Sequence, residues 1–324
     1  MSGNVFAEKY RPNKLDDVIG QEHVIPYLKE FVKNKDLPHM LFAGKAGTGK
    51  TTCAIALAKE LYGKSWRHYF REINASDDRG IKIVRGQIKD FARVGTVGVD
   101  FKIIFLDEAD NITKDAQNAL RRIIERYSSK CRFILSCNYP NKLIDPIKDR
   151  CVVFRFKAIN YQDINLLLKK IIKDEDMNMT DSAVSTISVL SRGSMRRALN
   201  TLQKLKLGNV QNIDEEKIYE SLGYIDDTHV KTLLIAVRKG NIKLVDDYMN
   251  NLLNIKVYSP EEIIESLQRL IKDSKILSKQ DKIKALGNIA DIEFRIAMGA
   301  TPDIQLKAFG VYLINLYEKY GVKE

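Results

Sequence analysis

The chain has 324 residues, 44% of them hydrophobic and 29% charged, with a formal net charge of +11. That length predicts two or three domains, and neither a membrane-spanning apolar run nor a signal-peptide core at the opening MSGNVFAEKYRP is present in the sequence. Cys53, Cys131, Cys137 and Cys151 make no CxxC pair or Cys/His cluster, which argues against structural zinc and for thiols in a reducing compartment, while the basic balance fits either a polyanionic partner or a plain lysine bias.

In chain order, short apolar runs alternate with helical patterns. HMLFA (39–43), YFREI (69–73), KIIFL (102–106), RFILSC (132–137) and VVFRF (152–156) read as strands, and 50–62, 81–93 and 113–127 as helices between them. That alternation predicts a parallel sheet wrapped by helices. Beyond about 157 no strand pattern is evident. INYQDINLLLKKIIKDED has helical spacing, Thr180 can cap a helix toward Leu190, and Ser194 after Gly193 can cap another over 195–206 that Gly208 ends. From about 226 four or five more helices follow, one opened by the capping box Ser259-Pro-Glu-Glu262 and one by Thr301-Pro302. With no low-complexity linker, domain boundaries fall in compact loops near 157–161 and 221–227, giving domains 1–157, 158–224 and 225–324.

GKAGTGKT (44–51) fits GxxxxGK[ST] between a predicted strand and a predicted helix, the context a phosphate-binding loop requires. Gly47 and Gly49 permit a tight turn whose N–H groups face phosphate oxygens, Lys50 can reach the β- and γ-phosphates, and Thr51 can ligate Mg²⁺. The candidate nucleotide set runs through Gly44, Lys45, Ala46, Gly47, Thr48, Gly49, Lys50, Thr51 and Thr52. Asp107 ends an apolar strand in KIIFLDEAD, so its carboxylate emerges at the sheet's C-terminal edge and can hold the metal with Thr51. Glu108 can polarise a water for attack on the γ-phosphate. Asn138, past the strand RFILSC, can orient that water or simply open a turn, since Asn-Tyr-Pro is good turn chemistry. In 81–93, Lys82, Arg85, Lys89 and Arg93 are spaced 3, 4 and 4 along one helical face, opposite Ile81, Val84, Ile88 and Phe91. Such a face can track phosphates without reading bases, or can be an ordinary solvated surface.

EKYRP (8–12), GKAGTGKT, REINASDDRGI (71–81), LDEADNITKDAQNALRR (106–122), FILSCNYPNKLIDPIKDRC (133–151) and GSMRRALNTLQ (193–203) together resemble the small subunit of replication factor C, most nearly the archaeal type. The resemblance covers nearly the whole chain and weakens after about 225. It implies an α/β AAA+ domain with a five-stranded parallel sheet, a small helical lid and an all-α C-terminal collar. The activity implied is ATP hydrolysis, with ATP and Mg²⁺, coupled to loading a sliding clamp on primer–template DNA. The implied partners are the clamp, a large loader subunit, further copies of the chain, and DNA bound without regard to sequence, in the cytoplasm near the nucleoid or in a nucleus.

By the same resemblance, Asn138 is a nucleotide sensor, Tyr10, Arg11, Pro12, Val18 and Ile19 line the adenine site, and Arg196 or its neighbour Arg197 is a second sensor. Arg150 is implied to enter a neighbouring subunit's ATP site, and the cation helix to follow the DNA backbone, with Arg121 and Arg122 either relaying DNA contact to Glu108 or serving equally as interface or surface residues. Three positions depart from the family pattern. Asp149 stands where serine is usual and could pair with Arg150, and Lys45-Ala46 replaces Pro-Pro. Rival readings are a branch-migration type AAA+ motor, an ATP-binding scaffold with little turnover, and a metabolic kinase, for which no acceptor-substrate residues are evident.

Overall fold

The computed structural model describes residues 5–76, 80–96, 98–222, 227–255 and 258–321. Asp77, Asp78 and Arg79 of the REINASDDRGI motif, and most of the loop expected near 221–227, lie outside them. The chain divides into two compact units, the first ending at Asn212 and the second starting at Ile213.

In the first unit, β1 (Met40–Ala43), β2 (Phe70–Asn74), β3 (Lys102–Asp107), β4 (Cys131–Cys137) and β5 (Val152–Arg155) form one all-parallel sheet in the order β2-β3-β4-β1-β5. The central strands are apolar on both faces because both faces are covered. In β3, Ile103 and Phe105 join the core beneath α1 (Ile25–Asn34) and α2 (Lys50–Tyr62). Ile104 and Leu106 join the core beneath a helical run α3 (81–93) and α4 (Lys114–Tyr127). The edge strands are mixed, with Val152 and Val153 exposed on β5. Buried Cys53, Cys131 and Cys137 and the half-buried Cys151 are free, and burial pushes each thiol up to about 12, which leaves them inert.

The order matters for the site. β4 lies between β3 and β1, so the loops leaving three adjacent strands emerge side by side at the C-terminal edge, where ligands of open α/β sheets bind.

Three helices complete this unit: α5 (Tyr161–Asp174), α6 (Asp181–Leu190) and α7 (Met195–Leu207). The expected caps are present, with Thr180 Oγ1 accepting from Ala183 N at 3.2 Å and Ser194 Oγ from Arg197 N at 3.4 Å. The second unit is all helical among its described residues: α8 (Glu215–Leu222), α9 (Asp227–Arg238), α10 (Ile242–Asn250), α11 (Pro260–Asp273), α12 (Lys279–Ala297) and α13 (Pro302–Glu318). Its own core runs from Leu233 to Tyr317. Ser259 and Glu262 make both bonds of the capping box, at 3.2 and 2.8 Å. Thr301 differs from expectation: α13 does start at Pro302, but the threonine side chain makes no capping bond. No described helix is long and apolar enough to cross a membrane.

Candidate functional site

The phosphate-type loop leaves β1 at Ala43 and enters α2 at Lys50. The Gly44 N–H donates to Cys137 O of neighbouring β4 at 3.1 Å, tying the loop to the sheet. Gly47 has φ +78°, and a Cβ there would meet Ser194 Oγ at 2.0 Å, so both its conformation and the close approach of α7 require glycine. Gly49, at φ +101°, turns the chain into α2.

Lys50 is 7% exposed. Its Nζ donates to Gly44 O at 2.6 Å, Lys45 O at 3.0 Å and Asn138 Oδ1 at 3.0 Å. Burial lowers its pKa while Asp107 pulls in the opposite direction. Thr51 Oγ1 donates to Asp107 Oδ2 at 2.7 Å, and Asp107 Oδ1 accepts the Glu108 N–H at 2.9 Å. A hydroxyl and a carboxylate so placed form a hard-oxygen pair suited to Mg²⁺. Glu108 sits at φ +52°, a conformation costly for a residue with a Cβ. Its Oε2 accepts from Ser76 Oγ and from Asn111 Nδ2, the latter at 3.0 Å.

These groups face a cleft of about 290 Å³ with two chemically distinct ends. Gly47, Gly49, Lys50, Thr51, Thr52, Asp107, Glu108, Asn138 and Arg196 line one end, and Pro12, Val18, Ile19, Ile159, Leu167 and Leu199 give the other its apolar walls, joined by Tyr10 and Arg11. One end can hold a polyanion and the other an aromatic base. Of the expected nucleotide set, Gly44, Lys45 and Thr48 do not line the cleft. Gly44 lies against Phe156, Lys45 is exposed, and Thr48 turns inward so that its Oγ1 donates to Lys45 O at 2.8 Å. Arg196 lines the cleft and Arg197 does not, which separates two residues the sequence left together.

Arg150 lies outside the cleft. Its Nη1 donates to Pro146 O at 2.6 Å and its Nη2 pairs with Glu125 Oε1 at 2.5 Å. Asp149, which the sequence offered as one possible partner, is not the residue it pairs with. The helix turn over Asp145–Lys148 carries Arg150 toward α4 instead, so Glu125 takes the guanidinium. Lys82, Arg85, Lys89 and Arg93 are all exposed on α3, opposite buried Val84 and Ile88 and half-buried Ile81 and Phe91.

Sequence reasoning missed several supports. Buried Gln21 donates to Thr48 O at 3.2 Å and Lys157 O at 2.8 Å, and accepts the Lys157 N–H at 3.2 Å. Asp110 is 7% exposed, and its Oδ2 accepts the N–H groups of Asn138 at 3.3 Å and Tyr139 at 3.0 Å. It therefore fixes the turn that aims Asn138 at Lys50. Ser76 and Asn111 hold Glu108. The signals available were a polar residue beside each motif, without any indication of its distant partner.

Comparison with known proteins adds the following. The family model for the ATPase family associated with various cellular activities (AAA) matches residues 40–158, and the replication factor C C-terminal domain model matches 225–311. The replication factor C small subunit of Picrophilus torridus is 43% identical over 94% of this chain and 95% of its own. That of Archaeoglobus fulgidus is 42% identical over 97% and 98%. That of Methanococcus vannielii is 42% identical over 98% and 99%. Among solved structures, the Thermotoga maritima RuvB Holliday junction branch migration motor superposes with TM-score 0.55 at 20% identity, over 77% of this chain and 86% of that one. A point-substituted form of the same motor gives the same TM-score and identity over 80% and 91%. At that identity the likeness is one of fold.

Proposed function

Because the chain belongs to the replication factor C small-subunit family, we propose that it works as the small subunit of an ATP-driven clamp loader, hydrolysing ATP at subunit interfaces to place a sliding clamp on primer–template DNA. The observation that carries the reading is the convergence of Lys50, Thr51, Asp107 and Asn138 at the ends of three adjacent strands.

ATP is the substrate. Its triphosphate lies along the loop amides, and Lys50 exchanges the carbonyls of Gly44 and Lys45 for phosphate oxygens. Thr51 and Asp107 would hold Mg²⁺, which supplies charge neutralisation on the phosphates when bound. Glu108 accepts a proton from the attacking water. Ser76 and Asn111 occupy its Oε2, so Oε1 is the oxygen that serves. Asn138 orients that water, and Arg196 reaches the phosphates from α7. Arg150 completes the site of the next subunit, because a guanidinium fork neutralises charge spread over γ-phosphate oxygens, an effect worth ~10³–10⁵ in turnover. The clamp, the large subunit, further copies of this chain and DNA are its partners in this reading.

The branch-migration motor shares the fold at TM-score 0.55, but named relatives at 41–43% identity span nearly the whole chain, and the second unit has no strand among its described residues. The scaffold reading has no support from a site that holds both Lys50 and Glu108.

The test is ATPase activity of the reconstituted loader with and without primed DNA plus clamp. Joint stimulation is expected, with Lys50→Ala lowering turnover on the order of 10²–10³-fold. Clamp loading that proceeds unchanged with Lys50→Ala would sink the reading.

A further inference from the structure

Part of the wall at the apolar end of the cleft is an N-terminal strap with two different anchors. On one side, Lys59 Nζ donates to Asn13 Oδ1 at 2.6 Å and the Leu15 N–H donates to Glu60 Oε1 at 2.7 Å, so residues 13–15 are fixed to α2 beneath the phosphate loop. On the other side, the helical turn Phe6–Lys9 is fixed to the helices that follow the sheet. The Phe6 N–H donates to Gln203 Oε1 of α7 at 3.0 Å, and Lys206 of α7 lies over the Phe6 ring, 5.9 Å from its centroid. Tyr10, Arg11 and Pro12 hang between the two anchors and line the cleft.

One side chain gathers the second anchor. Glu175, at the end of α5, is 6% exposed at its side chain. Its Oε1 accepts from Lys9 Nζ at 2.6 Å and from Tyr10 Oη at 2.7 Å. Its Oε2 accepts from Lys206 Nζ, which also donates to Glu175 O at 3.1 Å. Two cations and a phenol thus converge on one carboxylate from the strap and from α7. Hydrogen bonds to an ionised acceptor are the strong ones, and removing the acceptor would leave Lys9 and Lys206 facing each other.

We propose that Glu175 is a positioning residue for the nucleotide base. By holding Tyr10 to the end of α5 and to α7, it sets the apolar end of the cleft and makes base affinity depend on where those helices stand. The inference rests on the cleft being the ATP site. It predicts that Glu175 acts on base recognition far more than on triphosphate recognition, because the loop, Lys50, Thr51 and Asp107 are anchored to the sheet, and the start of α7, which carries Arg196, is held to the loop by the Met195 N–H donating to Gly47 O at 2.9 Å.

The experiment measures dissociation constants of the full chain for Mg–ATP and for Mg–tripolyphosphate, which lacks a base. The variants are Glu175→Ala, Glu175→Gln and Lys206→Met, the last cutting the α7 side of the bridge without touching the cleft. Glu175→Ala should weaken ATP about tenfold and tripolyphosphate less than about twofold. Glu175→Gln, which keeps one acceptor oxygen, should recover part of the loss, and Lys206→Met should shift ATP alone in the same direction. A general structural role would weaken both probes together, and that result, or an unchanged ATP constant in Lys206→Met, overturns the proposal. A wild-type chain that binds neither probe overturns the nucleotide reading itself; binding of both with an unaltered ratio in every variant overturns only the role of Glu175.

Discussion

His39, just before β1, is a ring the fold keeps neutral. Its Nδ1 accepts the Phe133 N–H at 3.1 Å, which requires an unprotonated nitrogen. Burial and then the charge of Arg132 lower its pKa to about 4 from an ordinary 6.5. Between those values the unfolded chain binds the extra proton. The stabilisation is therefore complete above 6.5, declines as pH falls toward 4, and changes no further below. His39→Gln removes the titration, so its urea midpoint should fall less steeply than that of the wild type across this window. Parallel curves for the two proteins would refute the assignment. Local chemistry of this kind also explains which site residues were legible. The chain positions of Lys50, Thr51, Asp107 and Glu108 are marked by local signals, a tight loop, a helix start and the end of a buried strand, although distant residues hold their side chains. Asp110 was not legible because the backbone it holds lies 28 and 29 residues away. The partner of Arg150 was not legible for the same reason, since Asp149 is adjacent in sequence whereas Glu125 is adjacent in space.

At the scale of elements, the three central strands were readable because burial on both faces demands continuous apolar runs, and the partly exposed edge strands β2 and β5 from short runs rich in aromatic and β-branched residues. Helix α1 was not. Val24 at its N-cap makes no side-chain cap, its C-cap Lys35 takes a left-handed conformation without glycine, and only Ile25 and Leu28 of its residues are fully buried. Helix α3 was placed correctly but is not regular. Val84–Ile88 forms a π turn, and buried Ile83 and Ile88 stand five residues apart, as a wider turn requires. The π turn leaves Lys82, Arg85, Lys89 and Arg93 outward, and none of them makes an ion pair among the described residues. Cations with no ion-pair partner among the described residues are free to face a phosphate backbone from there. If this face tracks DNA, replacing all four by alanine should lower the slope of log affinity against log salt by about 0.9 for each phosphate no longer engaged, equally on unrelated sequences. Binding titrations from low to moderate salt would show it; an unchanged slope would assign the face to solvent.

For the whole molecule, the excess positive charge belongs to the first unit. From Ile213 onward the chain carries 16 Lys and Arg against 18 Asp and Glu, so any long-range attraction to a polyanion comes from residues up to Asn212. The same unit carries both halves of the proposed shared centre, the cleft and Arg150, yet Arg150 does not line the cleft of its own chain. In this chain the guanidinium rests on Glu125 and Pro146 O, and a neighbour's triphosphate would compete for it with a higher charge density. Complementation decides whether it serves that neighbour. Lys50→Ala spoils the pocket but keeps the finger, and Arg150→Ala does the reverse. Assemblies of either variant alone should be nearly inactive. Random mixing of equal amounts should restore roughly a quarter of wild-type ATPase, the share of interfaces that join an intact pocket to an intact finger. If Arg150 acted within its own subunit, every subunit in the mixture would remain defective and no activity would return. ATPase rates across a series of mixing ratios separate the two outcomes, because a trans centre gives a maximum at intermediate ratio and a cis centre gives a flat baseline.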